Sequence, residues 1–385
     1  MKKLKLGLLP KILLAIVLGI GAGLIVPESI ARIFVTINGI FSQFLGFSIP
    51  LIIVALVTKA IADIGNRAGK MLITTVVIAY GSTVFAGVIS YFTGATFFPS
   101  MISSGTPIDS IENAVELTPY FAVNIPPLMG VMTALVLAFT LGLGLASTQN
   151  ETLMNAVHGF EEIMVKTIKV AIIPILPLYI FGIFLDMSYV GRVFSVLSVF
   201  ITIIGIIFLI HIGILLLQFF IAGSVTKKNP FKLLWNMLPA YFTALGTQSS
   251  AATIPVTLEQ TRKNGVSEDI VGFTVPLCAT IHMAGSTLKI VACALAIMIM
   301  NGQTYDFGMF MGFICMLGIT MVAAPGVPGG AIMASLPLLE GMLGFTGAAP
   351  GLMIALYIAM DSFGTACNVT GDGAIALIID KIFKK

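Results

Sequence analysis

Near the C-terminus, an apolar run from about Pro350 to Ile379 is interrupted by Asp361-Ser-Phe-Gly-Thr365-Ala-Cys-Asn368-Val-Thr370-Gly-Asp372. At 3.6 residues per turn, Asp361, Thr365, Asn368 and Asp372 fall at i, i+4, i+7 and i+11, which is one helical face. Carboxylates at membrane depth are expensive, so they normally face a protein interior or a cavity and carry function. Asn368 and Thr370 add oxygen acceptors, while Gly364 and Gly371 let the backbone loosen or a ligand come close. Such a stripe suits a cation, either an ammonium or a bare ion. The competing reading is a polar seam between helices, but seams use Ser, Thr and Asn rather than two carboxylates.

The elements that must position this stripe are membrane helices. The 385 residues are 58% hydrophobic and only 10% charged, with mean hydropathy +1.06, whereas a soluble domain carries roughly 25% charged residues. Composition therefore predicts an all-α polytopic membrane protein. Met1 to Lys11 is a short basic flank running into a spanning segment, not a cleavable leader. Cys278, Cys293, Cys315 and Cys367 all lie in apolar segments without CxxC spacing and read as buried small residues.

Segments long enough to cross a bilayer appear at about 8–26, 34–60, 71–95, 128–148, 163–186 and 193–222. Two shorter segments broken by Ser, Gly and Pro follow, at about 233–258 and 308–344, each preceding a full span (about 267–300 and 348–380). Lysines test this layout. Lys59, Lys70, Lys166, Lys169, Lys227, Lys228, Lys232 and Lys263, with those at both termini, fall where alternate loops and both ends would be cytoplasmic. The loop at about 97–127 holds Asp109, Glu112 and Glu116 without Lys or Arg and belongs outside. The alternation works only if 233–258 and 308–344 each enter and leave on one side. The sequence thus predicts eight transmembrane helices plus two re-entrant hairpins of opposite orientation. Irregular backbone at that depth is tolerated where it lines a cavity.

One pattern therefore occurs twice, inverted. Hairpin Gln248-Ser-Ser250 with Ile254-Pro255 precedes the broken span Thr280-Ile-His282-Met-Ala-Gly285-Ser286. Hairpin Pro325-Gly-Val-Pro328-Gly-Gly330 precedes the span with Asp361 to Asp372. Interrupted segments at matching positions of inverted halves point to a transporter's binding site. Each break frees N–H and C=O groups, and helix ends present partial charges to a ligand.

At these residues the chain resembles the dicarboxylate/amino acid:cation symporter family, the glutamate transporter homologues. The carriers are Ser249-Ser250 with Ile254-Pro255-Val256, Gly326-Val-Pro328-Gly, and Asn368-Val-Thr-Gly-Asp372. The resemblance implies a homotrimer whose protomers work by an elevator motion. Spans within 1–228 would form mainly the scaffold, with spans 3 and 6 joining the transport core at 229–385. It implies that Ser249, Ser250 and Asn368 hold a substrate carboxylate, that Asp361 pairs with its ammonium, and that Thr365, Ser286 and the position of Gly364 border the same pocket. Val327 to Gly329 would form a lid. Asn368 and Asp372, with backbone carbonyls near Cys278, would form a sodium site, and Tyr80, Thr83 and Thr280 would belong to the ion-coupling region. An amino-acid substrate, coupling by Na+ or H+, a cell-membrane location and no further cofactor or nucleic-acid partner follow from the same resemblance.

Three departures sharpen it. Acidic-substrate members carry an arginine where this chain has Gly364, and arginine is the residue suited to a bidentate grip on a carboxylate. A neutral amino acid is therefore favoured over aspartate or glutamate, with glycine leaving room for a larger side chain. The family's Asn-Met-Asp-Gly-Thr motif reads His282-Met283-Ala284-Gly285-Ser286, which removes the only anion from one buried sodium site. His282 is open to two readings, a protonatable coupling group or a hydrogen-bonding replacement for asparagine. Finally, Lys289 alone breaks the lysine layout. Either its ammonium replaces a mobile cation near Asp372 or Asp361, or it snorkels along a wet crevice or faces another subunit. A channel and an intramembrane protease are the alternative classes. No filter loop recurs in parallel for the first, and Asp361 and Asp372 share one helix against the second.

Overall fold

The computed structural model describes residues 8–65, 70–102, 117–191, 193–322, 324 and 329–383. Among these, regular structure is entirely helical. The Pro325–Pro328 hairpin tip with Val327, Arg67, Arg192, and the acidic residues Asp109, Glu112 and Glu116 lie outside the described residues.

The first half contains α1 (Leu8–Gly23), α2 (Glu28–Gly65), α3 (Lys70–Met101), α4 (Val131–Thr148), α5 (Glu151–Thr167), α6 (Ile173–Tyr189) and α7 (Val193–Thr226). α1 packs on α6 and α2 on α4. Large apolar side chains such as Val17, Ile25, Val77, Ile201 and Leu209 stay exposed, as expected of surfaces that face lipid rather than water. The expected fifth span at 163–186 is only part of a longer element. Amphipathic α5 runs into α6 through a π-helical turn at Ile168–Ile172. Pro174 and Pro177 follow this turn; prolines lack the N–H that an α register needs, and one wide turn absorbs the mismatch.

The second half builds the site. α8 (Pro230–Thr247) and α9 (Ser250–Lys263) form the first hairpin, and α10 (Glu268–Ile281) and α11 (Ala284–Met300) form a span broken at His282-Met283. α12 (Phe307–Val322) and α13 (Gly330–Leu343) form the arms of the second hairpin, while α14 (Ala349–Ala359) and α15 (Asp361–Phe383) form a span broken at Met360. Hydropathy ends the first hairpin near residue 258, but α9 continues to Lys263. Its last turn is polar and gains an i, i+4 pair between Glu259 and Lys263 at 2.8 Å. All 17 residues of α11 are buried, packed against α3, α7 and α15. This span is a central post, not a lipid-facing helix.

Among the described residues, six helical stretches are long and apolar enough to cross a membrane: Glu28–Lys59, Lys70–Met101, Glu151–Tyr189, Val199–Thr226, Glu268–Met300 and Asp361–Phe383. They correspond to the second, third, fifth, sixth and seventh expected spans and to the second part of the eighth. The first and fourth are shorter apolar helices.

Candidate functional site

Four helix N-termini meet between the two hairpins. At the tip of the first, Gln248 adopts a left-handed conformation (φ 53°) and its N–H returns to Ala244 O. Ser249 then caps α9 by accepting from Ala252 N at 3.3 Å. In the second hairpin Gly329, at φ 75°, makes the turn that only glycine takes readily. Its N–H donates to Asp361 Oδ2 at 2.8 Å. Breaks at Met283 and Met360 start α11 and α15. Gln248, Ser249, Ser250, Ala279, Met283, Ser286, Ala331, Tyr357, Asp361, Thr365 and Asn368 line one cavity at this junction. Helix N-termini present unpaired N–H groups and partial positive charge, which suits a carboxylate, while Asp361 suits an ammonium.

The polar side chains are tied together. Asn368 Oδ1 accepts from Gly285 N at 2.8 Å, and its Nδ2 donates to Ser286 Oγ at 3.2 Å. Tyr357 Oη donates to the same Ser286 oxygen at 3.0 Å, which leaves the serine proton free to donate. Thr365 Oγ1 donates to Asp361 O at 3.2 Å, so its lone pairs stay available. The cavity is about 30 Å³, space for about two waters and not for an amino acid. An amino acid enters only if the walls part.

Three turns further along α15 is a second centre. Asp372 Oδ1 faces His282 Nδ1 at 2.9 Å, and both side chains are sealed from solvent. Beyond the ring, His282 Nε2 lies 3.1 Å from Ser82 Oγ, which accepts from Gln218 Nε2 at 3.0 Å. One consistent assignment runs Gln218 to Ser82 to His282 to Asp372, each group donating to the next. Asp372 Oδ2 and Gln218 Oε1 have no hydrogen-bond partner among the described residues. Gly371 makes the approach possible, since a Cβ there would meet His282 Cε1 at 2.6 Å. The helix is continuous through Gly364 and Gly371. These glycines admit neighbouring side chains and do not loosen the backbone.

Lys289 belongs to the first centre. Its Nζ donates to Met360 O at 2.9 Å and lies 4.4 Å from the Tyr357 ring centroid. It is 1% exposed, which corrects the snorkelling reading. Gly364 does not leave room for a larger substrate either, because the space beside it is filled by this ammonium; a Cβ on Gly364 would meet Lys289 Nζ at 2.1 Å.

Other expected residues separate. Thr83 joins the break, accepting from Met283 N at 3.2 Å. Tyr80 turns instead to the second hairpin and donates to Cys315 O at 3.1 Å. Thr280 is exposed, its hydroxyl spent on Leu277 O at 2.7 Å. The Cys278 carbonyl accepts from His282 N at 2.8 Å. Asn368 Oδ1 and the Cys278 carbonyl thus each accept one protein hydrogen bond, whereas Asp372 Oδ2 accepts none among the described residues. Among the described residues, no group of three or more His, Cys, Asp or Glu side chains gathers to hold a metal ion. Ser82, Gln218 and Tyr357 are site residues that the sequence reading missed. Gln218 is a lone amide in an apolar run and Tyr357 is four residues before Asp361, and those were the available signals.

The sequence profile of the sodium:dicarboxylate symporter family matches residues 8–382. The chain belongs to this family. It is therefore a secondary active transporter of the membrane and not an enzyme, and the channel and protease readings fall away. Similar proteins include the serine/threonine transporters SstT of Acinetobacter baumannii strains AYE and AB307-0294. Each is 25% identical over 408 aligned positions, which cover 98% of this chain and 97% of the relative.

Proposed function

We propose that this transporter carries a small neutral amino acid, serine or threonine first, in symport with a cation. The observation that carries the reading is the lining between the hairpins. One carboxylate, five hydroxyl residues and two amides line it, with four helix N-termini and, among the described residues, no arginine. Asp361 takes the substrate ammonium, and the α9 N-terminus at Ser250, with Asn368, takes the carboxylate. Ser286 and Thr365 meet a side-chain hydroxyl. A second carboxylate on the substrate would find no guanidinium, and burying it unpaired is costly. The names of the serine/threonine relatives agree with this choice.

The coupling centre is the region of Asn368 and Asp372. Coupling to Na+ is weakened relative to the family, because His282 occupies one carboxylate oxygen. Eight spans with two re-entrant hairpins, cytoplasmic termini in the cell membrane, a homotrimer, and an elevator motion of 229–385 with α3 and α7 against the remaining helices complete the proposal. The close packing of α11 on α3 and of α15 on α7 supports the grouping.

The test is uptake by purified protein in liposomes, using labelled serine, threonine, aspartate and glutamate under an inward Na+ gradient, an inward H+ gradient, or neither. Serine or threonine should accumulate, with a smaller stimulation by Na+ than by the most effective gradient. Preferential accumulation of aspartate or glutamate would overturn the reading.

A further inference from the structure

Lys289 is the only buried lysine or arginine among the described residues, and its surroundings are built for it. Met360 O receives its proton, the Tyr357 face lies under its charge, and Gly364 leaves the space it fills. An ammonium over an aromatic face is attracted by the ring quadrupole. The carbonyl that holds it belongs to Met360, the residue immediately before Asp361. Asp361 and Tyr357 line the substrate cavity, whereas Lys289 does not. The ammonium thus stands behind the carboxylate and leaves its front to a ligand.

Transport makes this placement consequential. A loaded carrier holds a zwitterion, whose ammonium balances Asp361 and whose own carboxylate is held by helix N-termini. In net uptake the carrier must then return without substrate, and Asp361 would cross as a buried charge facing neutral polar groups, the Gly329 N–H and the Tyr357 hydroxyl. Uncompensated buried charges are strongly unfavourable. A mobile cation bound beside Asp361 would solve the problem, and so does a tethered one.

Resting on the amino-acid reading above, we infer that Lys289 is a positioning residue whose ammonium neutralises Asp361 in the substrate-free carrier, so that the empty form reorients and net uptake proceeds with no mobile cation at this position. The zwitterion adds no net charge, so the Asp361–Lys289 pair stays balanced in both directions of the cycle. The coupling cation acts elsewhere, at Asp372.

The experiment separates two fluxes in liposomes holding the full chain. Net uptake is measured into vesicles without internal substrate, and exchange into vesicles preloaded with the unlabelled amino acid, where only loaded carriers need move. The substrate is whichever amino acid the wild type exchanges fastest. An error in assigning serine or threonine then appears in the wild-type panel and leaves the flux ratio readable. Lys289→Met should lower net uptake at least tenfold while exchange falls less than threefold. Gly364→Ala keeps the lysine but drives its ammonium from the cradle, and should show the same split; it also decides the matter if the methionine variant does not fold. A fall of both fluxes by the same factor, or of neither, would overturn the inference, because a purely structural lysine has no reason to distinguish empty from loaded carriers.

Discussion

Asp361 and Asp372 lie on one face of one helix, and each has a basic residue of the broken seventh span nearby, yet the two solutions differ. His282 touches Asp372, whereas Lys289 bonds the carbonyl of Met360 next to Asp361. Asp372 is 1% exposed and paired directly with His282, whose ring is fixed from behind by Ser82 and Gln218. Asp361 stands in a cavity wall, one oxygen against Gly329 N, with its cation placed behind the carboxylate. Direct pairing takes one oxygen of Asp372 and leaves Oδ2 without a hydrogen-bond partner among the described residues. Counter-charge held at one remove leaves the front of the Asp361 carboxylate open. The first arrangement leaves one oxygen for a small cation, and the second leaves a whole face for an amino acid that comes and goes.

The comparison can be broken from either end. His282→Leu should have the largest effect, because it strands Asp372 as a buried unpaired charge; about 3–5 kcal/mol of stability should be lost, read as a large drop in the thermal midpoint in detergent. A midpoint within a degree or two of wild type would mean that Asp372 is not held by the ring. Asp361→Asn should leave the fold intact but weaken amino-acid binding about a hundredfold, about 2.7 kcal/mol, as expected when one partner of a buried charge pair is neutralised. Calorimetric titration checks this, and unchanged affinity would move the ammonium site elsewhere. Ser82→Ala removes one hydrogen bond behind the imidazole and should cost about 1 kcal/mol of stability with little effect on substrate affinity; a larger loss of binding than of stability would join the two centres. Thr280→Ala touches neither carboxylate, and uptake and stability should stay within about 0.5 kcal/mol of wild type.

How much of this was legible follows from what each signal measures. Hydropathy reads the burial of backbone in lipid, so an all-helical membrane chain and six of its long apolar stretches were legible, and the polar run Thr280 to Ser286 marked the break at His282-Met283. Helical spacing put Asp361, Thr365, Asn368 and Asp372 on one face because α15 is regular throughout. Spacing cannot tell which neighbour a face meets. Tyr80 and Thr83 are three residues apart on α3, but one turns to Cys315 O and the other to Met283 N. Tyr357 and Asp361 are four apart across a break at Met360 and still share the cavity. Lys289 was visible as an anomaly, but only the fold chose Asp361 over Asp372 as its neighbour. Polar Glu259 to Lys263 hid the end of α9 because hydropathy stops where salt-bridged helix begins.

The cradle at Gly364 has an evolutionary consequence. A change of preference toward acidic amino acids would need an arginine at 364, but its first side-chain carbon would collide with the lysine from α11. Replacing the lysine first leaves a carrier that exchanges but cannot return empty; installing the arginine first leaves two cations competing for one volume. Each single change disturbs the cradle that the other side chain uses. Positions 289 and 364 are therefore epistatic, and selectivity at this site should switch by paired substitution, so that a scan of single mutants would not find it.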